Sequence, residues 1–382
     1  MLYARMETEP TMRQARVCMR VNNPFTHDAR VLREAEALAE AGYDVTVVAD
    51  ARAELPEHAT RGAVRVRRIR KTSRIPYASI IRPLREVAAD IYHAHDIDSL
   101  LPCLVAAHSS RTRARVVYDS HELWSGHARD KIHAKRRLLV RAEGFMLRRA
   151  DALVTASPAF TEEIIGRYRY TGPAITVLNV PRYFDDSELR DAWARRAADE
   201  HIRVMSVGVF QHGRGALPLI RALEFLPEQF VVEFVGPIAQ ADYEADMRAA
   251  AVPFGDRIIF AGAIPAAEVV PRLAQAHVSA VLIEPLSRSY ELTAPNKVFD
   301  SLMAGTPMIA SDMPTIARFV RETEAGMTCD VGDPRSIAAG IHAVADRGDA
   351  YSRAARRAAA RYHWDAEKRH LLDLYERLTG TA

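Results

Sequence analysis

Cysteine is scarce in this chain. Cys18, Cys103 and Cys329 are too few and too far apart for a disulfide framework or a CxxC metal site, and they suit a reducing compartment. Long apolar runs are missing as well. No stretch reaches the roughly 18 consecutive apolar residues of a membrane-spanning helix, and the opening residues carry Glu7 and Glu9 where a signal peptide would be apolar. The cytoplasm is therefore the expected compartment. Charge of one sign is not in excess: 52 Lys and Arg stand against 49 Asp and Glu, and no basic run is interleaved with aromatics, so nucleic acid is not an expected partner. Two phosphate-binding fingerprints are absent too. The residues after the first apolar run read NNPFTHD instead of GxGxxG, which disfavours a dinucleotide-dependent oxidoreductase, and no GK[ST] phosphate loop is found. There is no internal repeat and no low-complexity segment.

What remains is the composition of a soluble enzyme-sized protein. With 382 residues, 48% hydrophobic and 26% charged, the chain exceeds one comfortable core and predicts two domains. Short apolar runs alternate with helical patterns in both halves, the sign of parallel sheets covered by helices. In the first half, strands are expected at Arg16–Val21, Asp44–Ala49, Ala63–Ile69, Asp90–His95, Ala114–Asp119 and Ala152–Ala156. The periodic run Val31, Leu32, Ala35, Leu38 and Ala39, stopped at Gly42, makes the first of these a βαβ unit, with Asp28 as an ordinary helix cap and Arg30 as an ordinary surface residue. After Val177 the pattern dissolves into NVPRYFDD and a charged stretch to Glu200, read as a linker. A second set of strands follows at Ile202–Val207, Val231–Val235, Arg257–Phe260, Val278–Ile283 and Pro307–Ala310.

In open parallel sheets, ligands bind at the carboxyl ends of strands. Several loops there are polar. They include Asn23 to His27, His95 and Asp96, and His121 with Glu122 in the first half, and Gly208 to Gly215 in the second. The segment YELTAPNKVFDSLMAGTPMIASD reads as a helix with Pro295 in its first turn, closed by Gly305 and Pro307. Free N–H groups, the helix dipole and the Lys297 ammonium would converge there on an anion, phosphate being the natural candidate; an ordinary capped helix is the bland alternative. Arg214, beside Gly213 in SVGVFQHGRG, could supply a second cation and complete a diphosphate clamp.

These residues resemble the retaining nucleotide-sugar glycosyltransferases of family 4, exopolysaccharide-type branch. HDARVLREAEALAEAGYDVTVVA looks like the family's first helix and second strand, and HAHD and VYDSHEL resemble its acceptor-side loops. GVFQHGRGALPLIRAL looks like the donor-phosphate loop, PNKVFDSLMAGTPMIASD like the donor-sugar and ribose segment, and YHWDAEKRHLLDLYERL like the closing helix. The resemblance implies a GT-B fold: two Rossmann-like, doubly wound α/β domains facing a central cleft. Residues 1–190 would bind the acceptor, 191–355 the nucleotide-sugar donor, and 356–382 would form a helix crossing back onto the first domain.

By the same resemblance, Arg214 and Lys297 would bind the donor diphosphate and stabilise the leaving group, which makes a metal or other cofactor unnecessary. Asp300 stands where the family carries the second glutamate of an E-x7-E motif that contacts the ribose. The first glutamate would fall at Leu292, so Glu291 is one position out, and the backbone N–H groups of Glu291, Leu292 and Thr293 become the expected sugar contacts. The base would lie near Ala263 and Ile264. On the acceptor side, His121 is the expected group near the transferred sugar, with Glu122, His95, Asp96, Asn23 and His27 around the acceptor. The implied partners are a nucleotide sugar, with UDP favoured, and a carbohydrate, aminocyclitol or lipid-linked acceptor. Peripheral contact with the inner face of a membrane stays open, because the run KIHAKRRLLVRAEGFMLRR (Lys131 to Arg149) reads either as a plain surface helix or as one that touches anionic lipid. A non-catalytic sugar-nucleotide-binding or assembly protein of the same fold is the alternative function.

Overall fold

The computed structural model describes residues 14–26, 28–71, 76–109, 113–126 and 133–380. By internal contacts the chain divides into two compact units. The first takes residues up to Ser120, Ala142–Leu153 and Leu372 onward; the second takes His121–Arg141 and Val154–Leu371.

The first sheet holds β1 (Arg16–Arg20), β2 (Asp44–Asp50), β3 (His58–Arg61), β4 (Val64–Ile69), β5 (Ile91–His95), β6 (Arg115–Ser120), β7 (Ala152–Thr155) and β8 (Ala174–Thr176). Its order is β3-β4-β2-β1-β5-β6-β7-β8. β1 pairs in parallel with β2 and with β5, while β3 runs antiparallel to β4 at the edge. The central strands are apolar runs because helices cover both faces. β5 breaks that rule: IYHAH is buried along its whole length although two of its five residues are histidines.

The second sheet holds β9 (Ile202–Val207), β10 (Phe230–Val235), β11 (Ile258–Gly262), β12 (Val278–Val281), β13 (Met308–Ser311) and β14 (Gly326–Cys329), in the order β11-β10-β9-β12-β13-β14. The pairs described are all parallel. In both sheets the strand order reverses beside the first strand: between β1 and β5, and between β9 and β12. The expected two α/β domains with doubly wound sheets are therefore present.

Two readings change. The charged stretch expected to be a linker is helical over Asp186–Ala198, where Asp185 and Glu188 form a capping box and Leu189 and Ala192 are buried. Three strands, β3, β8 and β14, were not expected. Each is short, and none shows a sustained apolar run. The last helix, Trp364–Thr379, is divided between the units at Leu371 and Leu372.

Candidate functional site

In the second unit, the loops that leave β9 and β12 flank the point where the strand order reverses, the usual place for a ligand in such sheets. The β9 loop can close tightly only because of its glycines. Gly213 and Gly215 have φ of +83° and +69°, and a Cβ on Gly215 would lie 2.4 Å from that of Leu282. The two loops are also joined by Glu284 N–H donating to the Gly213 carbonyl at 3.0 Å.

Lys297 projects from the first turn of the helix Asn296–Ala304 and is only 8% exposed. Pro295 is the cap of this helix and not its first residue, since its ψ of 143° is extended. The N–H groups of Asn296 and Lys297 have no partner within the helix by geometry. The Lys297 ammonium approaches Ser206 Oγ to 3.5 Å, the outer limit of a hydrogen bond, and lies 5.6 Å from the centroid of the Phe210 ring. Burial, and then the charge of Arg214, push its pKa down from 10.5 to about 7, against the opposing pull of Asp300. Arg214 stacks over the Tyr290 ring at 4.9 Å, and the Tyr290 hydroxyl accepts from Gln211 at 3.3 Å. Lys297 at the helix start thus feels the charge of Arg214, an arrangement that an anion would stabilise.

The neighbouring expectations fare differently. Glu291 ends the short helix Arg288–Glu291 and pairs with Arg288 at 3.1 Å. The N–H groups expected to meet a sugar are engaged locally: Glu291 donates to Ser287 at 3.0 Å, Leu292 to Arg288 at 3.2 Å and Thr293 to Tyr290 at 3.3 Å. The helical turn at Ser287, whose hydroxyl caps it, accounts for those bonds. The Leu292 carbonyl is anchored by Ser157 and Thr315. Ala263 is exposed after β11, and Ile264 packs on the same apolar cluster as Met303 and Ala304 of the Lys297 helix. His121 is half-buried and Glu122 exposed. Their segment rests on the Arg288–Glu291 turn, where Leu123 N–H donates to Ser289 Oγ at 3.2 Å. His121 and Glu122 therefore belong to the unit that holds Lys297.

In the first unit, the corresponding reversal point carries Asn23 after β1 and Asp96 after β5. Asn23 is tied to its own loop, donating to Asp28 at 2.8 Å and accepting from Phe25 N–H at 2.7 Å. His27 lies outside the described residues. Asp96 adopts φ 61°, ψ 168°, a region that costs a non-glycine residue of order 1–3 kcal/mol, and its N–H donates to the Asp119 carbonyl at 2.8 Å. His95 Nδ1 lies 3.2 Å from Asp119 Oδ2 and its ring stacks on His93 at 4.3 Å. His93 in turn meets the Tyr375 hydroxyl at 2.8 Å.

Arg30 proves not to be a surface residue. It is 7% exposed and donates through Nε and Nη2 to the two Asp119 carboxylate oxygens, at 3.0 and 2.9 Å, with Glu34 at 3.1 Å. Burial works against its charge, but Asp119 and Glu34 outweigh it and raise its pKa. Glu34, His93, His95 and Asp119 offer ligand atoms within 4.8 Å of one another, a spacing a metal ion could use. Arg30 already supplies positive charge to both carboxylates of that group.

Comparison with known proteins adds the decisive observation. The family model described as "Glycosyl transferase 4-like domain" matches residues 27–181, and "Glycosyl transferases group 1" matches residues 201–347. The chain belongs to the family 4 glycosyltransferases of GT-B fold. Glycogen synthase of Mycobacterium tuberculosis is 25% identical over 282 residues, covering 71% of this chain and 64% of the relative, so the chain spans just under two thirds of that relative's length. Sucrose-phosphate synthase of Thermosynechococcus elongatus superposes with a TM-score of 0.77 at 19% identity, covering 97% of this chain and 100% of that one. HepE of Anabaena, solved in complex with UDP, gives 0.73 at 15% identity over 95% and 100%. These two likenesses concern the fold.

Within this glycosyltransferase, sequence reasoning missed Tyr290, Phe210 and Ser206 around the cations, and Arg30 and Tyr375 in the first unit. Tyr290 and Phe210 were readable as aromatics beside the loops. Nothing local marks Arg30 or Tyr375, whose partners lie far away in the chain.

Proposed function

We propose that this glycosyltransferase moves a sugar from a nucleotide diphosphate sugar to an acceptor hydroxyl, with retention of anomeric configuration and without a metal. The reading rests on one observation above all: Lys297 lies buried in the first turn of the Asn296–Ala304 helix, where it feels the charge of Arg214. Fixed cations at that point would hold the diphosphate and stabilise charge as it departs, the work a divalent cation does elsewhere. HepE has been solved with UDP and with UDP-glucose, which favours a uridine donor here. Asp300, one turn along the helix from Lys297, would face the ribose, and Ala263 and Ile264 the base.

The proposed step is a front-face displacement. The acceptor oxygen bonds to the anomeric carbon on the side from which the diphosphate leaves, the carbon–oxygen bond to the phosphate breaks, and the acceptor proton passes to a departing phosphate oxygen. His121, with Glu122, would hydrogen-bond near the transferred sugar, and Asn23, His95 and Asp96 would contact the acceptor, a carbohydrate, aminocyclitol or lipid-linked hydroxyl. Residues 1–190 then serve the acceptor and 191–355 the donor, and the helix Trp364–Thr379 is the closing element within 356–382. A thermal-shift series with UDP, GDP and their sugars tests the donor site: a specific nucleotide raises the melting temperature, and no shift with any of them in folded protein overturns the reading. His121→Ala lowers transfer more than binding.

A second reading is carried by Glu291 and Asp300. The carboxylate nearest the expected first glutamate is paired with Arg288, and the second acid is one methylene short. A non-catalytic sugar-nucleotide-binding protein would bind without turnover on any acceptor.

A further inference from the structure

Glu34, His93, His95 and Asp119 come from three elements of the first unit and meet in its interior, none more than 2% exposed. Their convergence follows from register. His93 and His95 are two apart on β5, so their side chains point to one face of the sheet, and Asp119 on β6 pairs with His95 across the strands. Glu34 reaches the same place from the helix Ala29–Glu40, one turn after Arg30. Histidine is a costly choice for the interior of a buried parallel strand, where apolar side chains pack without polar atoms to satisfy.

The spacing is that of a slightly open coordination sphere. His95 Nδ1 lies 3.2 Å from Asp119 Oδ2, His93 Nε2 lies 3.8 Å from the same oxygen, and His93 Nε2 lies 4.0 Å from Glu34 Oε2. Ligands bonded to one tetrahedral zinc ion at about 2.0–2.1 Å stand about 3.3 Å apart, so a small inward movement closes the sphere. Two imidazoles with two carboxylates suit zinc. The other ring nitrogen of His93 is already held: Nδ1 meets the Tyr375 hydroxyl at 2.8 Å, the kind of contact that fixes the tautomer and orientation of a ligating histidine.

Charge favours the same occupant. Asp119, Glu34 and Asp96 all act on the Arg30 guanidinium. Three carboxylates against one guanidinium leave two negative charges among these groups, which one divalent ion balances. Arg30 meets Glu34 through Oε1, at 3.1 Å, while Oε2 faces His93.

We infer that Glu34, His93, His95 and Asp119 bind one divalent metal ion of zinc type, in a closed structural site that ties β5, β6 and the helix Ala29–Glu40 together. The ion anchors His95, and with it the end of β5 that leads into Asp96. All four ligands come from the protein, as in structural zinc sites, and they lie in the first unit, whereas Lys297 belongs to the second. The metal-free transfer proposed above is therefore untouched.

The test is elemental analysis of the full chain, produced in zinc- or cobalt-supplemented medium and desalted. One ion per chain is the expected result, with the intense visible bands of four-coordinate cobalt in the cobalt form. His93→Gln and His95→Gln each retain less than about a tenth of the parent's metal, and Tyr375→Phe, which keeps the ring packed, weakens zinc affinity about tenfold in competition with a chromophoric chelator. His342→Gln is the control, because its exposed pair with Asp346 at 3.0 Å is the kind of surface site that takes up zinc adventitiously; it leaves the metal content unchanged. A folded parent that carries no metal from either medium overturns the proposal, whether or not the histidine variants fold. So do weak, six-coordinate cobalt bands, or metal that survives in His95→Gln. The thermal shift with nucleotide is the same for the metal-loaded and metal-free chain, which keeps failure here apart from failure of the donor site.

Discussion

Arg30 and Asp119 form a two-point ion pair inside the first unit, 89 residues apart in sequence, with distances of 3.0 and 2.9 Å. Asp119 is the last residue but one of β6 and Arg30 lies in the first turn of the helix Ala29–Glu40 after the β1 loop, so the pair ties the end of β6 to the start of that helix. Removing the arginine leaves Asp119 and Glu34 buried without it. Arg30→Ala is therefore expected to cost about 3–5 kcal/mol, the penalty for breaking a buried pair. Arg30→Lys keeps the charge but loses the fork and should recover only part of it. Urea midpoints for the two variants check this; equal midpoints for parent and alanine variant would contradict it.

Lys297 predicts a pH dependence whose sign can be worked out. Its pKa in the folded protein is lowered to about 7 from 10.5, so between those values the unfolded chain binds the extra proton. Stability of the ligand-free protein consequently rises with pH across that window. A bound diphosphate reverses the situation by favouring the ammonium. Nucleotide binding near pH 8 should take up a proton, and affinity should fall as pH rises above about 7, by at most about tenfold per pH unit. Calorimetry in buffers of different ionisation enthalpy measures the uptake. Lys297→Met is expected to bind nucleotide weakly, to lose the proton uptake, and to be at least as stable as the parent.

The role of Tyr290 follows from the same cluster. Its ring lies under Arg214 at 4.9 Å and its hydroxyl accepts from Gln211. Tyr290→Ala should weaken nucleotide binding about three- to tenfold through the lost cation–π contact, while Tyr290→Phe, which keeps the ring, should lose less. Titration calorimetry separates them. Indistinguishable affinities for parent, Phe and Ala variants would show that Arg214 holds its place without the ring.

How much of this was legible beforehand depends on the range of each signal. The central strands and the Lys297 helix were readable because apolar period, glycine stops and proline placement are local. The edge strand HATR was not, since half-buried short strands carry little pattern. Lys297 and Arg214 could be paired from strand-end logic alone. Arg30 could not, because a helix-start arginine looks solvated until β6 brings a buried aspartate to it. The local hydrogen bonds of the three amides after Tyr290 were not legible for the opposite reason: a one-turn helix capped by Ser287 is too short to announce itself by period.

Asp96 joins a strained backbone to a strand end, and strain of that kind is informative only when the carboxylate is needed. At φ 61°, ψ 168° glycine is the residue without penalty, and Asp96→Gly should stabilise the fold by about 1 kcal/mol through relief of strain, unless the lost charge beside Arg30 offsets it. Asp96→Asn separates the two effects, because it keeps the strained backbone's side-chain shape and removes only the charge. If Asp96 orients an acceptor hydroxyl, both variants should keep the parent's nucleotide affinity and lose transfer, with KM for the acceptor rising. Thermal midpoints together with acceptor titrations decide it: a glycine variant that is more stable and fully active would make the aspartate a structural accident of the β5 end.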